Sequence, residues 1–296
     1  MAETERKEEA EEKQQDDTTP AQKSLSRPSA EEIFKQVATN ARQELQRPSI
    51  ALALSGFGAG MFMGLSALGT AITLRILGAS AVVFFVSRMF YPLGFIITIL
   101  GRSQLFTENT LYPVALVLAE KREIWNTLRL WSVVLPANVL GAFAFGLLIS
   151  DTRALEPATQ LELSGLGAAA LGSSGWHVFW SAVIAGWIIA LAAWLVSGSH
   201  SITGSVMVIW MLTFVVGLGG FSHCVASSCE VFVTILTNHA EWSQFPGWFF
   251  PTVAGNICGG VGLVTILEYG QVMHGKVVEE VIREGEREQA QRENEP

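Results

Sequence analysis

The sequence predicts an all-α membrane protein with six transmembrane helices, and its composition and charge distribution support this. Half of the 296 residues are hydrophobic and only 16% are charged. Most of the charges lie near the two ends, so residues 48–275 hold only 16 charged side chains in 228 positions. A soluble domain carries roughly 25% charged residues, and a bilayer is crossed by about 20 apolar ones. The middle of the chain therefore has room for six spans, and this excludes a soluble enzyme.

The N-terminal region divides into a tail and a helix. Residues 1–28 are rich in Glu, Lys and Gln, have almost nothing to bury, and predict a disordered acidic tail. Ser29 and Glu32 have the spacing of a capping box at the start of a helix. Apolar side chains then recur on one helical face over 29–47, which predicts an amphipathic helix at the membrane surface. They are Ile33, Phe34, Val37, Ala38, Ala41 and Leu45.

Residues 48–275 are predicted to form the six-span domain, and two of the spans are interrupted. The spans lie at about 49–73, 81–100, 128–150, 176–197, 206–221 and 247–269. Two further apolar pieces, 109–119 and 229–238, are too short to cross ~30 Å of hydrocarbon. We therefore expect each to be the second half of an interrupted helix, so that spans two and five are broken.

Basic residues in the short loops predict the orientation. Lys121, Arg122 and Arg129 lie between spans two and three, whereas the 151–175 loop has Arg153 among three acidic residues. Because cytoplasmic loops are enriched in Lys and Arg, both the N-terminal tail and the charged tail at 276–296 are expected in the cytoplasm. The absence of an apolar stretch in residues 1–47 argues against a signal peptide.

The two interruptions match each other. Residues 101–107 and 219–229 place small and polar side chains at membrane depth, and each break is followed at once by a glutamate, Glu108 or Glu230. Such backbone is tolerated only where protein or water satisfies its polar groups. One break in each half of three spans predicts an inverted repeat with its site at the midplane. A weaker similarity between residues 136–141 and residues 251–260 also supports the repeat.

His223, in the second break, is the leading candidate for a functional residue. An ionisable side chain at the centre of a span is costly, and histidine titrates near neutral pH. The alternative is a neutral histidine that is hydrogen-bonded to a backbone carbonyl and only stabilises the fold.

Charged residues within the spans are expected to pair. For Arg75, Arg88, Arg102, Glu108 and Glu230, buried ion pairs that hold the broken halves are favoured over a role in permeation, and a proton relay is the alternative.

Other chemistries have weak support. His223, Cys224 and Cys229 do not share a helical face, so no metal site is expected, and the three cysteines are interpreted as buried small residues. No Gly-x-Ser-x-Gly elbow of a serine hydrolase and no Asn-Pro-Ala pair of a water channel occurs in the spans.

Several motifs in order resemble the formate/nitrite transporter family, most of all its YfdC-type branch. The resemblance covers residues 29–271. It rests on Gln104-Leu-Phe-Thr-Glu-Asn-Thr110 in the first break, Gly220-Phe-x-His223 in the second, Trp242-Ser, and Pro251-Thr-x-Ala-Gly-Asn-Ile-Cys-Gly-Gly260 in the last span.

This resemblance implies an aquaporin-like fold and a homopentamer in which each protomer has its own pore for small monovalent anions such as formate or nitrite. It implies that Thr107 and His223 face each other between two apolar constrictions. Tyr91 takes the position of a cytoplasmic-side aromatic residue and Phe95 the gate position of span two. Leu105 and Val216 take the remaining gate positions.

Four positions depart from the family pattern. No lysine occurs between Lys121 and Lys276, so the family's vestibule lysine has no counterpart. Gly186 takes the place of an asparagine in span four. Ser222 and Ser227 take the places of an acidic residue beside the histidine and an asparagine four residues after it.

We therefore hypothesise a channel in the cytoplasmic (inner) membrane for a small weak-acid anion, without cofactor or nucleic-acid partner. The anion is partly dehydrated at a ring that includes Phe95 and Leu105 and then meets Thr107 and His223. Transient protonation of the anion, or pairing with a histidine cation, would lower the barrier. Two alternatives remain: a non-conducting sensor or scaffold, and a pore for a small neutral solute.

Overall fold

The computed structural model describes residues 28–78, 80–121, 123–152 and 154–293 and shows only helices and their connections in these ranges. The predicted tail at 1–28, apart from Pro28, lies outside them, as do Arg122 and Arg153. The helices are α1 Ala30–Gln46, α2 Ser49–Leu77, α3 Ala81–Arg88, α4 Pro92–Leu100, α5 Tyr112–Glu120, α6 Ile124–Asp151, α7 Pro157–Leu171, α8 Gly175–Ser197, α9 Ile202–Gly219, α10 Ala226–Leu236, α11 Gln244–Ile257, α12 Ile266–Val272 and α13 Lys276–Glu293.

The predicted six spans are confirmed. Six helical segments are long and apolar enough to cross a bilayer: α2, α3 with α4, α6, α8, α9, and α11 with α12. An eight-residue π-helical segment, Cys258–Thr265, joins α11 to α12. Cys258 is exposed, so the expectation that all three cysteines are buried is wrong at this position, although Cys224 and Cys229 are buried.

The two short apolar pieces form half-helices, α5 and α10, that run in opposite directions. We call the end of the bundle that carries residues 46–49, 123–124, 197–202 and 272 the tail side, and the end that carries residues 77–78, 80–81, 154–157 and 236–244 the loop side. After its break, α5 runs to the tail side and α10 to the loop side. This opposed arrangement confirms the predicted inverted repeat.

The capping box of α1 is present, but its apolar face meets protein. Ser29 Oγ accepts a hydrogen bond from the Glu32 amide, and Glu32 Oε2 accepts one from the Ser29 amide. Phe34 and Val37 are completely buried in the single chain, where α1 packs on α5, α8, α12 and α13. The apolar face of the predicted amphipathic helix is therefore covered by protein at the tail-side end of the bundle.

The segment predicted as a plain loop at 151–175 contains a helix. α7 starts with Pro157 at its first position and continues through an Ala- and Leu-rich sequence. It packs against the half-helix α10, as α1 packs against the half-helix α5. Each half of the repeat therefore begins with a helix that packs against the half-helix of the same half. The charge count used for orientation did not reveal this.

Candidate functional site

The first break is anchored by Asn138 of α6. Its side-chain amide donates to the backbone oxygens of Gly56 and Gln104, each at 2.8 Å. Its oxygen accepts a hydrogen bond from the Phe106 amide at 2.9 Å. One asparagine therefore satisfies backbone groups on both sides of Leu105, at a depth where water cannot do so.

The second break is anchored in the same way by Asn256 of α11. Its amide donates to the backbone oxygens of Ala182, at 2.8 Å, and Ser222, at 3.0 Å, and its oxygen accepts from the Cys224 amide at 2.9 Å. His223 lies between the Ser222 carbonyl and the Cys224 amide that Asn256 binds, as Leu105 lies between the Gln104 carbonyl and the Phe106 amide that Asn138 binds. His223 and Leu105 therefore occupy equivalent positions in the two breaks.

Two serines complete the correspondence. Ser55 Oγ on α2 accepts the Gln104 amide at 3.1 Å, and Ser181 Oγ on α8 accepts the Ser222 amide at 3.0 Å. The backbone of each break is thus held by the first and last spans of its own half, which fixes the position of the side chains between them.

Thr107 and His223 meet in the centre of the molecule. Thr107 Oγ1 lies 2.8 Å from His223 Nε2, and both residues are completely buried. The other ring nitrogen, Nδ1, accepts hydrogen bonds from the backbone amides of Val225, at 3.3 Å, and Ala226, at 3.0 Å. These amides belong to the start of α10, so the ring caps this half-helix.

The hydrogen bonds determine the tautomer of His223. Because Nδ1 accepts two N–H groups it carries no proton, and we assign the proton to Nε2, which donates to Thr107 Oγ1. A proton on Nδ1 would face two N–H donors and would remove both bonds. The site is therefore arranged for a neutral imidazole.

Apolar side chains enclose this pair. The Phe95 ring meets the His223 ring edge to face, with centroids 5.1 Å apart, and Tyr91 packs on Phe95 at 5.5 Å. Leu105 and Val216 are completely buried. Packed side chains thus separate the centre from the cavities on either side.

A loop-side cavity of about 140 Å³ lies beyond this constriction. Tyr91, Val216, Ser222 and Ser227 line it. The chain runs from the loop side toward the tail side along α3 and α4, so Tyr91, which precedes Phe95, lies in the loop-side half. In the predicted orientation this half is the outer one, so the expected cytoplasmic-side position of Tyr91 and the expected orientation of the tails do not agree.

A tail-side cavity of about 200 Å³ lies at the other end. Arg102 and Glu108 line it, together with Asn40 of α1 and His200. Asn40 Oδ1 lies 3.5 Å from an Arg102 amino group. The loop-side cavity has a comparable set, Arg88, Glu230 and His177. Neither histidine was a sequence-based candidate, because nothing in its local pattern indicates a cavity.

The expected Arg–Glu bridges are not formed. No ion pair of 4.0 Å or less between described residues includes Arg88, Arg102, Glu108 or Glu230. Arg88 and Glu230 line one cavity and Arg102 and Glu108 the other, so each cavity has one arginine and one glutamate that are not in ion-pair contact. Arg75 is exposed on α2.

Gly186 does not join the central group. A Cβ at this position would overlap the backbone carbonyl of Asn256, as one at Gly60 would overlap that of Asn138. The two glycines mark the close approach of α8 to α11 and of α2 to α6. The assignment of Gly186 to the pore therefore has no support in its position.

The fold and this centre define a membrane channel protein of two opposed repeats, with half-helices that meet at the midplane. Comparisons with known proteins identify the class further. The formate/nitrite transporter family model matches residues 31–270. The chain belongs to this family.

Individual relatives agree with this assignment. The chain is 31% identical over 245 residues to the inner membrane protein YfdC of Escherichia coli K12, covering 81% of this chain and 78% of YfdC. Among solved structures, an FNT family ion channel superposes with a TM-score of 0.75 at 19% identity, covering 81% of this chain and 98% of that one. A pentameric formate channel with formate bound superposes with a TM-score of 0.65 at 19% identity, covering 79% and 98%.

Proposed function

We propose that the protein is an inner-membrane channel for small monovalent weak-acid anions of the formate and nitrite class, and that it acts as a homopentamer with one pore in each protomer. The observation that carries the proposal is the Thr107–His223 contact of 2.8 Å, which lies between two polar cavities at the junction of the half-helices. The protein is a transport protein and not an enzyme. Relatives named as a formate channel and a probable formate transporter support the substrate class.

The physical problem at the constriction is desolvation. An anion that passes Phe95 and Leu105 loses water, and an uncompensated charge in apolar surroundings is costly by many kcal/mol. His223 Nε2–H donates to Thr107 Oγ1, which leaves the Thr107 hydroxyl proton available to donate to the anion. A fixed donor chain at this point replaces part of the lost hydration.

This mechanism differs from the pairing with a histidine cation that the sequence suggested. The two amides at Nδ1 favour the neutral ring, so we propose that the central pair acts by hydrogen bonding. If the permeating species is protonated, the proton then comes from water in a cavity. A neutral His223 ring can cap α10 through Nδ1 and donate to Thr107 through Nε2 at the same time. The fold-stabilising role and the functional role are therefore compatible.

The other two interpretations gain less support. A sensor or scaffold does not require a buried donor pair between two cavities, and family membership favours transport. A pore for a neutral solute fits the missing vestibule lysine, but the arginine in each cavity supplies a cation for an anion to approach.

Stopped-flow measurements on proteoliposomes test the proposal. A pH-sensitive dye inside the vesicles reports uptake of formate, nitrite and acetate. Swelling of the vesicles in urea measures the permeability to a neutral solute. We expect anion flux to fall at least about tenfold in His223→Ala, because a hydrogen bond to a charged group contributes roughly 1.5–3 kcal/mol and about 1.4 kcal/mol corresponds to a factor of ten. His239→Ala, an exposed loop-side histidine, is the matched control. Full flux in His223→Ala contradicts the proposed role.

A further inference from the structure

The last span departs from the symmetry of the two repeats. Its equivalent in the first repeat is α6, because each of the two carries the asparagine that anchors a break. The helix α6 is continuous from Ile124 to Asp151, whereas the last span contains the π-helical segment Cys258–Thr265. Segments of this kind are rare, and they occur frequently at functional sites. This one therefore needs an explanation beyond the crossing of the membrane.

The first break departs from the symmetry at the place that faces this segment. Thr107 is followed by a 3₁₀ turn, Glu108–Thr110, before α5 begins at Tyr112. In the second break α10 begins directly at Ala226, the position equivalent to Glu108. The 3₁₀ turn packs against the π-helical segment. The two irregular segments therefore meet immediately after Thr107.

Three threonine side chains connect these segments to the central pair. Thr265 Oγ1, at the end of the π-helical segment, donates to the backbone oxygen of Thr110 at 3.2 Å. Thr110 Oγ1 donates to the backbone oxygen of Thr107 at 2.7 Å. Thr107 Oγ1 in turn lies 2.8 Å from His223 Nε2. The three threonines are at most 1% exposed, so bulk water does not compete for these hydrogen bonds.

The π-helical geometry explains how one span can serve Thr110 twice. A Cβ at Gly260 would overlap the Thr110 hydroxyl, so this glycine provides the space for it. Residues five apart, as Gly260 and Thr265 are, lie about 140° apart around an α-helix, which turns by about 100° per residue. The hydrogen bonds of a π-helix join residues five apart and so bring them to nearly the same face. Accordingly, Thr265 Oγ1 also lies 3.1 Å from the Gly260 backbone oxygen.

We propose that Thr110 and Thr265 are positioning residues for Thr107 and that the π-helical segment supplies the geometry they need. Thr265 holds the 3₁₀ turn, and Thr110 holds the backbone at Thr107. The Thr107 hydroxyl is thereby directed so that its oxygen accepts from His223 while its proton stays available to the permeating anion. This inference rests on the proposed channel function. It assigns a role to two residues that are not among those lining the loop-side or the tail-side cavity.

Valine substitutions test the role in transport, because valine resembles threonine in shape and lacks the hydroxyl. We expect Thr110→Val and Thr265→Val each to lower formate flux per reconstituted oligomer about fivefold, the factor that one neutral hydrogen bond contributes. Thr110→Ser keeps the hydroxyl and should stay within about twofold of wild type. Thr252→Val is the matched control, since Thr252 is buried in the same span and its hydroxyl donates to Trp248 of its own helix. Wild-type flux in Thr110→Val overturns the inference.

The ¹⁵N resonance of His223 Nε2 reports the position of the Thr107 hydroxyl without requiring flux. The chain has five histidines, and the signal that disappears in His223→Gln identifies this one. In histidine-labelled protein in lipid, Thr110→Val and Thr265→Val should shift the Nε2 resonance, because its hydrogen bond to Thr107 weakens. The signals of the other four histidines should stay in place, and Thr252→Val should shift none. An unshifted Nε2 resonance in Thr110→Val also overturns the inference, since a role confined to packing predicts this result.

The outcomes for the positioning role and for the channel are distinguishable. If formate flux depends on His223 while Thr110→Val and Thr265→Val match wild type in flux and in the Nε2 resonance, the channel stands and the positioning role fails. If the two variants shift the resonance but the wild-type protein transports no solute, Thr107 is positioned as inferred and the channel function fails.

Discussion

His223 combines two tasks in one ring. Nδ1 accepts the first amides of α10, and Nε2 donates to Thr107 at 2.8 Å. A side chain that only capped the half-helix would not need the second contact, and one that only titrated would not be held by two donors. The geometry therefore supports a neutral donor whose orientation is fixed by the backbone.

Glutamine at position 223 distinguishes a neutral donor from a cation. Its terminal amide reaches about as far as Nε2 and can donate to Thr107, but it cannot be protonated. We expect His223→Gln to retain flux within about threefold of wild type, whereas His223→Ala loses at least about tenfold. The dependence of flux on pH between 5 and 8, corrected for the ionisation of the substrate, should be the same in wild type and His223→Gln. A glutamine variant as inactive as the alanine variant would contradict the role of a neutral donor at this position.

The sequence predicted the meeting of Thr107 and His223 but not the environment of either. The motif resemblance aligned both breaks, so their central residues could be paired. Whether Nδ1 faces a carbonyl or two amides depends on how α10 starts after the break, which no local pattern encodes. For the same reason the expected Arg–Glu bridges could not be checked from the sequence: the separation of Arg88 from Glu230 depends on how α3 packs against α9 of the second repeat.

At the scale of elements, each break depends on one asparagine. Asn138 and Asn256 each bind three backbone groups, and each lies opposite a glycine that allows its helix to approach. The sequence similarity between residues 136–141 and 251–260 predicted that these two segments occupy equivalent positions in the repeat. It did not predict that they hold the breaks, because the hydrogen-bonded groups lie 32 to 82 residues away in sequence.

Replacing one of these asparagines should destabilise the fold. Asn138→Leu leaves the Phe106 amide and two carbonyls unpaired in an apolar environment, and each buried group without a partner costs about 1–3 kcal/mol. We expect the unfolding temperature of the detergent-solubilised protein to fall by at least about 5 °C.

Asn126→Leu is the control for this substitution, because Asn126 is exposed at the start of the same helix. Scanning fluorimetry measures both variants. Equal unfolding temperatures for the two variants would show that the break is stable without its anchor.

At the scale of the whole molecule, basic groups gather at one end together with α1 and α13. Arg129 donates to the backbone oxygens of Leu45, at 2.6 Å, and Arg47, at 3.2 Å, so the start of α6 is fixed beside the end of α1. Arg42 joins Glu120 at 2.8 Å and Glu284 at 3.2 Å, which attaches α13 to the same end. The tail side is therefore the basic, covered face that the sequence placed in the cytoplasm.

The proposed orientation can be tested with single cysteines in a Cys258→Ser background, where the remaining cysteines, Cys224 and Cys229, are buried. Ser243→Cys lies exposed on the loop side and Gln271→Cys lies exposed near the tail side. A membrane-impermeant maleimide is added to intact cells that lack an outer-membrane barrier. If the positive-inside rule sets the topology, the reagent labels the Ser243→Cys variant in these cells. It labels the Gln271→Cys variant only after the membrane is permeabilised. The reverse labelling would place the tails outside. It would also place the cavity that Arg88 and Glu230 line on the cytoplasmic face.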